Sequence, residues 1–280
     1  MGTTLSPLRY PGGKTKIYSK VKGLIEYSGL GDKTYVEPFA GGFGIGIGLL
    51  HDGVVNSVLI NDYDRHIYNF WYAALNQTEK LIELIRTTPV SIEERDHQKN
   101  IYNTDNASPL EDGFATLFLN RVNYSGVIKG GPIGGSNQAG KYKIDCRFNR
   151  EEIIERILLI ASFRDNISLY NCDASDLICN HLISQKSNIF LNIDPPYVVK
   201  GSLLYTNYFE EADHRNLQQI ISGNLQDVPW IVTYDDCELI RSIYSQYHLE
   251  EYDIRHNVRN NIVKKEIVIT NIQLDKFKWE

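Results

Sequence analysis

The tetrapeptide Asp194-Pro195-Pro196-Tyr197 follows the apolar run Ile189-Phe190-Leu191-Asn192-Ile193, which has the composition of a buried strand. It therefore stands at the carboxyl end of a strand, where open α/β sheets bind ligands. Two consecutive prolines fix the backbone and remove two N–H donors, leaving their carbonyls as acceptors. Asp194 adds a charged acceptor, and Tyr197 a flat face with a polar tip. That set suits one reaction problem. The exocyclic amine of a nucleobase is a weak nucleophile because its lone pair is delocalised into the ring. Two acceptors on its hydrogens pull the nitrogen toward tetrahedral geometry and aim the lone pair at an electrophile, while an aromatic ring stacks on the extruded base. The plainer reading is an acid followed by turn prolines.

Three other segments carry weaker signals. Glu37-Pro38-Phe39-Ala40-Gly41-Gly42 occupies a strand-to-helix turn in which glycine lets a ligand approach the backbone. A G-x-G-x-x-G dinucleotide fingerprint is missing, because Gly42, Gly44, Gly46 and Gly48 alternate. The Glu-Pro-Phe entry suits an amino-acid moiety better than a pyrophosphate. Asn61-Asp62 ends the next strand, and Asp62 is placed to accept from ribose hydroxyls; the rival role, a helix cap, fits Asp64 better. Arg9-Tyr10-Pro11-Gly12-Gly13-Lys14 puts an aromatic and a cation around a Gly-Gly turn, where they could cover a cofactor's carboxylate or adenine.

The elements that must position these residues read as α/β. Residues 34–77 give strand, loop, helix, strand (54–60) and helix, an order that implies a parallel sheet with helices on its faces. Residues 78–121 carry apolar side chains at helical spacing and no convincing strand. Residues 120–140 turn Gly- and Asn-rich, with the composition of a recognition surface rather than a core. The α/β rhythm resumes after Arg150: a helix over 151–162, a strand over 167–170, a helix over 174–184, the 189–193 strand, a helix over 213–222, a strand at 230–233, a helix near 238–247 and a final pair at 249–256 and 266–271. The expected architecture is an α/β domain built from 1–64 and 151–280, with 65–150 inserted as a helical and loop domain.

Composition sets limits. The 280 residues are 42% hydrophobic and 23% charged, as in ordinary globular proteins. The apolar runs are too short to span a bilayer, and the first residues lack a signal-peptide pattern, so a cytoplasmic protein with no membrane partner is expected. Cys146, Cys172, Cys179 and Cys237 form no C-x-x-C pair and are expected to be free thiols, with no metal site. None follows a proline, which excludes the thiol chemistry of cytosine C-5 methylation. The net charge is −6, yet residues 119–150 carry six cations against Asp145 alone. This stretch is therefore +5 and the remainder −11, a local field suited to phosphate binding in an otherwise acidic chain.

Together these segments resemble the Dam-like family of DNA adenine methyltransferases, which act at N-6. The likeness runs along nearly the whole chain: Tyr10–Lys14, Glu37–Gly42, Asn61-Asp62, Leu119-Asn120-Arg121 with Asn123-Tyr124-Ser125-Gly126, Asp194–Tyr197, the Asp213-His214 helix start and Lys265–Asn271. The resemblance implies a Rossmann-like sheet with an inserted target-recognition domain, S-adenosyl-L-methionine as methyl donor, and double-stranded DNA as partner, with a cognate restriction endonuclease as a possible companion. It implies that Asp194, Pro195, Pro196 and Tyr197 act on the target base. It also implies that Tyr10, Lys14, Glu37, Pro38, Phe39, Ala40, Gly41, Gly42, Asp62, Cys172, Asp173 and Asp194 line the cofactor site. Arg9, Arg121, Asn123, Tyr124, Lys129, Asn137, Lys141, Lys143 and Arg147 are then expected to face DNA. Members that read GATC usually carry Phe-Asn-x-Pro after an Arg/Asn-containing loop, whereas this chain has Gly130-Gly-Pro-Ile-Gly-Gly-Ser-Asn-Gln-Ala-Gly140, so that target does not follow. Cytosine N-4 methylation is the nearest alternative, though its tetrapeptide more often begins with Ser. A catalytically inactive DNA-binding relative is the other.

Overall fold

The computed structural model describes residues 5–9, 17–198, 209–255, 263–274, 277 and 279. Tyr10 and Lys14 lie outside them. The chain forms two compact units, one of Met1–Thr15, Gly41–Ile47 and Asp64–Asn171, the other of Lys16–Ala40, Gly48–Tyr63 and Cys172–Glu280.

The sheet is a seven-stranded one of mixed direction, preceded in the chain by helix α1 (Tyr18–Tyr27). Its strands are β1 (Thr34–Glu37), β2 (Val58–Asn61), β3 (Ile167–Tyr170), β4 (Ile189–Ile193), β5 (Trp230–Asp235), β6 (His248–Arg255) and β7 (Val263–Thr270), in the order β3-β2-β1-β4-β5-β7-β6. β2, β1, β4 and β5 run parallel, and β7 pairs antiparallel with both β5 and β6. Every residue of β2, β4 and β5 is buried, as expected of strands covered on both faces, which read as continuous apolar runs. The chain leaves β1 toward β2 on one side, and β4 lies on the other. The carboxyl ends of β1 and β4 thus flank a topological switch point.

Two expectations change here. The strand expected over 54–60 shortens to Val58–Asn61. Helix α2 (Gly44–His51) unwinds through Gly53 at φ 66°, and the Val54 N–H donates back to the Leu49 carbonyl at 2.9 Å, so residue 54 belongs to the helix exit. The helix expected over 174–184 is broken: one turn at Ala174–Asp176, a π turn at Leu177–His181, then a 3-10 stretch at Ile183–Asn188. Leu177, Ile178 and Leu182 are all fully buried, and the π register lets residues five apart point the same way.

The first unit is largely helical: α3 (Arg65–Asn76), α4 (Thr78–Thr87), α5 (Ile92–Tyr102), α6 (Pro109–Val122) and α7 (Arg150–Ser162). Asp64 caps α3, accepting from the His66 N–H at 2.9 Å, so the capping role falls to Asp64 and not to Asp62, as expected. A Ser108/Glu111 capping box starts α6, and everything from Asp112 to Val122 is buried, so α6 is the axis of this unit. Two further helices in the second unit, α8 (Glu211–Asn224) and α9 (Glu238–Ile243), follow β4 and β5.

Candidate active site and recognition surface

In the second unit the ends of the parallel strands bring several polar side chains to one edge. Glu37 closes β1 and is buried; Asn61 closes β2. The Asn61 amide nitrogen donates to the carbonyls of Pro38 and Cys172, both at 2.9 Å, and its oxygen accepts from the Cys172 N–H at 3.0 Å. One fully buried amide thereby ties together three loop starts, those after β1, β2 and β3. Asp62, next in sequence, is half-buried at this edge and Tyr63 is exposed. Asp173 accepts from the Ser175 N–H at 2.8 Å and caps the short turn that follows.

Asp194 leaves β4 half-buried, and its Oδ1 accepts from the Thr233 hydroxyl of the neighbouring β5 at 2.7 Å. Pro195 is buried and Pro196 half-buried. Past them, the Val198 N–H donates to Asp235 Oδ1 at 3.1 Å, which anchors the exit of the tetrapeptide to the end of β5. Tyr197 differs from the open aromatic platform the sequence suggests. Its side chain is only 5% exposed, and its hydroxyl donates to Glu266 of β7 at 2.7 Å. Tyr252 of β6 donates to the same buried carboxylate at 3.1 Å. Burial, reinforced by Asp194 and Glu266, pushes both phenols well above their ordinary pKa, so they remain protonated donors. Behind them the Tyr234 hydroxyl lies 2.9 Å from His214 Nδ1, and burial lowers the pKa of that imidazole. Phe39 meets Phe209 edge-on at 5.9 Å.

Within the first unit Gly41 adopts φ 45°, and its carbonyl accepts from the Trp71 indole at 3.0 Å. Gly46 is a packing glycine: a Cβ there would meet the Phe43 ring at 2.0 Å. Gly48, in the second unit, is the same case, since a Cβ there would meet the Tyr18 ring at 2.6 Å.

The basic Gly/Asn-rich stretch is an ordered loop. Gln138, at φ 48°, is its hub, donating to the carbonyls of Ile133 and Gly135 and accepting from the Ile144 N–H at 2.7 Å. Tyr124, Lys129, Asn137, Lys141, Lys143 and Arg147 are all exposed on it. Two expected DNA-facing residues are corrected. Arg121 is 5% exposed, and its guanidinium donates to the carbonyls of Arg147 and Pro7; burial lowers its pKa to about 10. Asn123 is fully buried between Arg95, which donates to its oxygen at 2.8 Å, and the Ile128 carbonyl. Arg9 donates to the Arg121 and Asn123 carbonyls, both at 3.3 Å. Arg121 and Asn123 build the platform rather than face its exterior, and half-buried Arg9 is anchored to it. Sequence reasoning missed their organiser, Asn120, which grips Arg9 through both N–H (2.7 Å) and C=O (3.0 Å) and also donates to the Gly126 carbonyl. Gly126, at φ 76°, is where a Cβ would strike the Arg9 carbonyl at 2.1 Å.

An open α/β sheet with Glu37 ending β1 and Asp-Pro-Pro-Tyr following β4 at the switch point has the arrangement of α/β enzymes that bind ligands at strand ends. Residues 10–258 match the D12 class N6 adenine-specific DNA methyltransferases, and the chain belongs to this family. It is an adenine-specific DNA methyltransferase. The Type II methyltransferase M.MjaIII of Methanocaldococcus jannaschii is 23% identical over 204 residues, covering 68% of each chain. Among solved structures, the rRNA methyltransferase aviRa of Streptomyces viridochromogenes overlays with a TM-score of 0.43 at 12% identity, covering 93% of this chain and 85% of that one. The methyltransferase domain of bacterial-CtHen1-CN gives 0.41 at 8%, covering 91% and 97%. Among the described residues, no helix is long and apolar enough to cross a membrane.

Proposed function

We propose that the target adenine is held at the end of β4, with Asp194 and the Pro195 carbonyl accepting from its exocyclic amine and the Pro195-Pro196 pair keeping the carbonyl aimed. The observation that carries this reading is the Thr233–Asp194 hydrogen bond at 2.7 Å, beside the switch point. It occupies Oδ1 and fixes the carboxylate's orientation, as a positioned acceptor requires. Tyr197 supplies a ring against the extruded base, with Glu266 holding its hydroxyl; because the side chain is 5% exposed, a base reaches it by displacing what covers it.

S-adenosyl-L-methionine is the proposed donor and supplies an electrophilic methyl group on a sulfonium. The residues present fit it. Glu37 and Asp62 are carboxylates at adjacent strand ends, suited to the ammonium and ribose hydroxyls, and Pro38, Phe39 and Ala40 with Gly41 and Gly42 form the turn that follows β1. Cys172, pinned by Asn61, and Asp173 are assigned to the adenine end; the cofactor contacts expected of Tyr10 and Lys14 fall outside the described residues. Residues 65–150 are the proposed recognition domain, with Tyr124, Lys129, Asn137, Lys141, Lys143 and Arg147 facing duplex DNA. M.MjaIII is named a Type II methyltransferase, and on that likeness we place this chain in a restriction-modification pair.

The test is Asp194→Ala in the full-length protein. Methyl transfer is expected to vanish while most DNA affinity survives. Parallel loss of both would remove the assigned role.

A further inference from the structure

On the segment after β3, three side chains of different donor chemistry converge. The Cys172 sulfur, an Asp176 carboxylate oxygen and a His181 ring nitrogen all lie within 4.8 Å of one another. The backbone explains why. Residues five apart lie on well-separated faces of an α-helix, but the π turn Leu177–His181, closed by the Leu182 N–H on the Leu177 carbonyl at 3.0 Å, brings His181 Nε2 to 3.5 Å from Asp176 Oδ2. π turns of this kind recur at functional sites.

The surrounding groups orient each donor. Asn180 donates to Asp176 Oδ1 at 2.6 Å, which turns Oδ2 toward the histidine. Asn61 grips the Cys172 backbone from both sides, at 3.0 and 2.9 Å. Such outer hydrogen bonds are what fix ligands around a metal.

We propose that Cys172, Asp176 and His181 bind one thiophilic divalent cation of the Zn2+ class, with water completing four-coordination. A thiolate beside an imidazole and a carboxylate selects zinc-like ions over Mg2+ or Ca2+. Bonds of about 2.0–2.3 Å around one ion need only a modest closing of the present spacing. Binding releases the thiol proton to solvent and replaces the 3.4 Å interaction of the Cys172 sulfur with Asn61 Oδ1. Asp176 and His181 are 46% and 42% exposed, so the ion enters directly from water. The site shares Cys172 with the proposed cofactor pocket but draws on neither Asp194 nor Asp62, and His181 lies outside that pocket, so His181→Asn tests metal binding separately from the proposed transfer chemistry.

The test uses full-length, metal-free protein titrated calorimetrically with Zn2+, and separately with Co2+ while following the thiolate-to-cobalt charge-transfer band. One ion per chain is expected, with the band present and a rise in Tm on adding Zn2+. Cys172→Ser and His181→Asn should each weaken binding at least tenfold. Cys179→Ser, in the same turn, should leave it unchanged, and excess Mg2+ should not compete. Melting of the metal-free variants separates loss of a ligand from loss of fold, and the exposed His181 position keeps the comparison open if Cys172→Ser is unstable. A missing band, affinity unchanged in both ligand variants, or binding lost with Cys179→Ser overturns the proposal.

Discussion

The Tyr197 hydroxyl donates to Glu266 at 2.7 Å, so the last residue of the tetrapeptide is held by a strand far along the chain. Tyr252 shares that carboxylate at 3.1 Å. Glu266→Ala removes the buried acceptor that both phenols share, and losing one partner of a buried hydrogen bond costs about 1–3 kcal/mol. A destabilisation of that order is expected in urea unfolding, with Glu266→Gln, which can still accept, losing less. Equal stability of the three proteins would mean the phenols find water instead.

The link from Thr233 to Asp194 tests orientation at the site itself. Thr233→Val removes one hydrogen bond to a charged acceptor, worth about 1.5–3 kcal/mol. Single-turnover methyl transfer should slow by roughly 10–100-fold with the fold intact. A wild-type rate would show that Asp194 holds its position unaided.

The recognition loop separates two kinds of cation. Neutralising exposed Lys129 or Lys141 should lower the slope of log affinity against log salt by about 0.9 for each phosphate that is no longer neutralised. Arg121→Ala should instead reduce stability, because its guanidinium holds the Arg147 and Pro7 carbonyls. Should Arg121→Ala keep its melting temperature and lose only salt dependence, the buried assignment fails.

Burial lowers the pKa of His214 below its ordinary value of 6.5, outweighing the opposing pull of Asp235 and Asp213. The unfolded chain therefore binds the proton more readily than the folded one. The stability contribution is full above about pH 6.5 and declines as pH falls from there through the lowered folded-state pKa. His214→Phe should flatten that acid limb in pH-dependent denaturation curves. An unaltered limb would point to a different group.

Asn61→Ala should release the loops after β1 and β3 together. Loss of cofactor binding by calorimetry is expected to exceed that of Asp62→Ala in entropy, because two loops become free to move. Identical signatures for the two variants would deny Asn61 its organising role.

Much of this was legible in the residues. Asp194–Tyr197 follows a strand whose apolar run is unmistakable, and strand ends are where such sheets bind ligands. Asp64 as a cap could be preferred over Asp62 because capping is local. What the sequence hid was tertiary. Arg121 and Asn123 look like DNA-facing groups because a cation or amide in a basic loop reads the same whether it meets phosphate or backbone carbonyl. Asn61 and Asn120 lie in segments the sequence singles out, but their bracing roles have no local signature, since each clasps a backbone 111 residues away in sequence. The π turn at Leu177–His181 escaped because its apolar spacing also fits a regular helix.

β7 is the last of the seven strands in sequence, yet it lies inside the sheet between β5 and β6. Among the described strands β6 pairs with β7 alone, so although it precedes β7 in the chain it joins the sheet only through β7, which pairs with β5. Only with β7 in place does Tyr197 gain its carboxylate partner. A nascent chain therefore carries its tetrapeptide early but completes the wall behind it late, and a product truncated before residue 263 would lack both the central antiparallel strand and the Glu266 anchor.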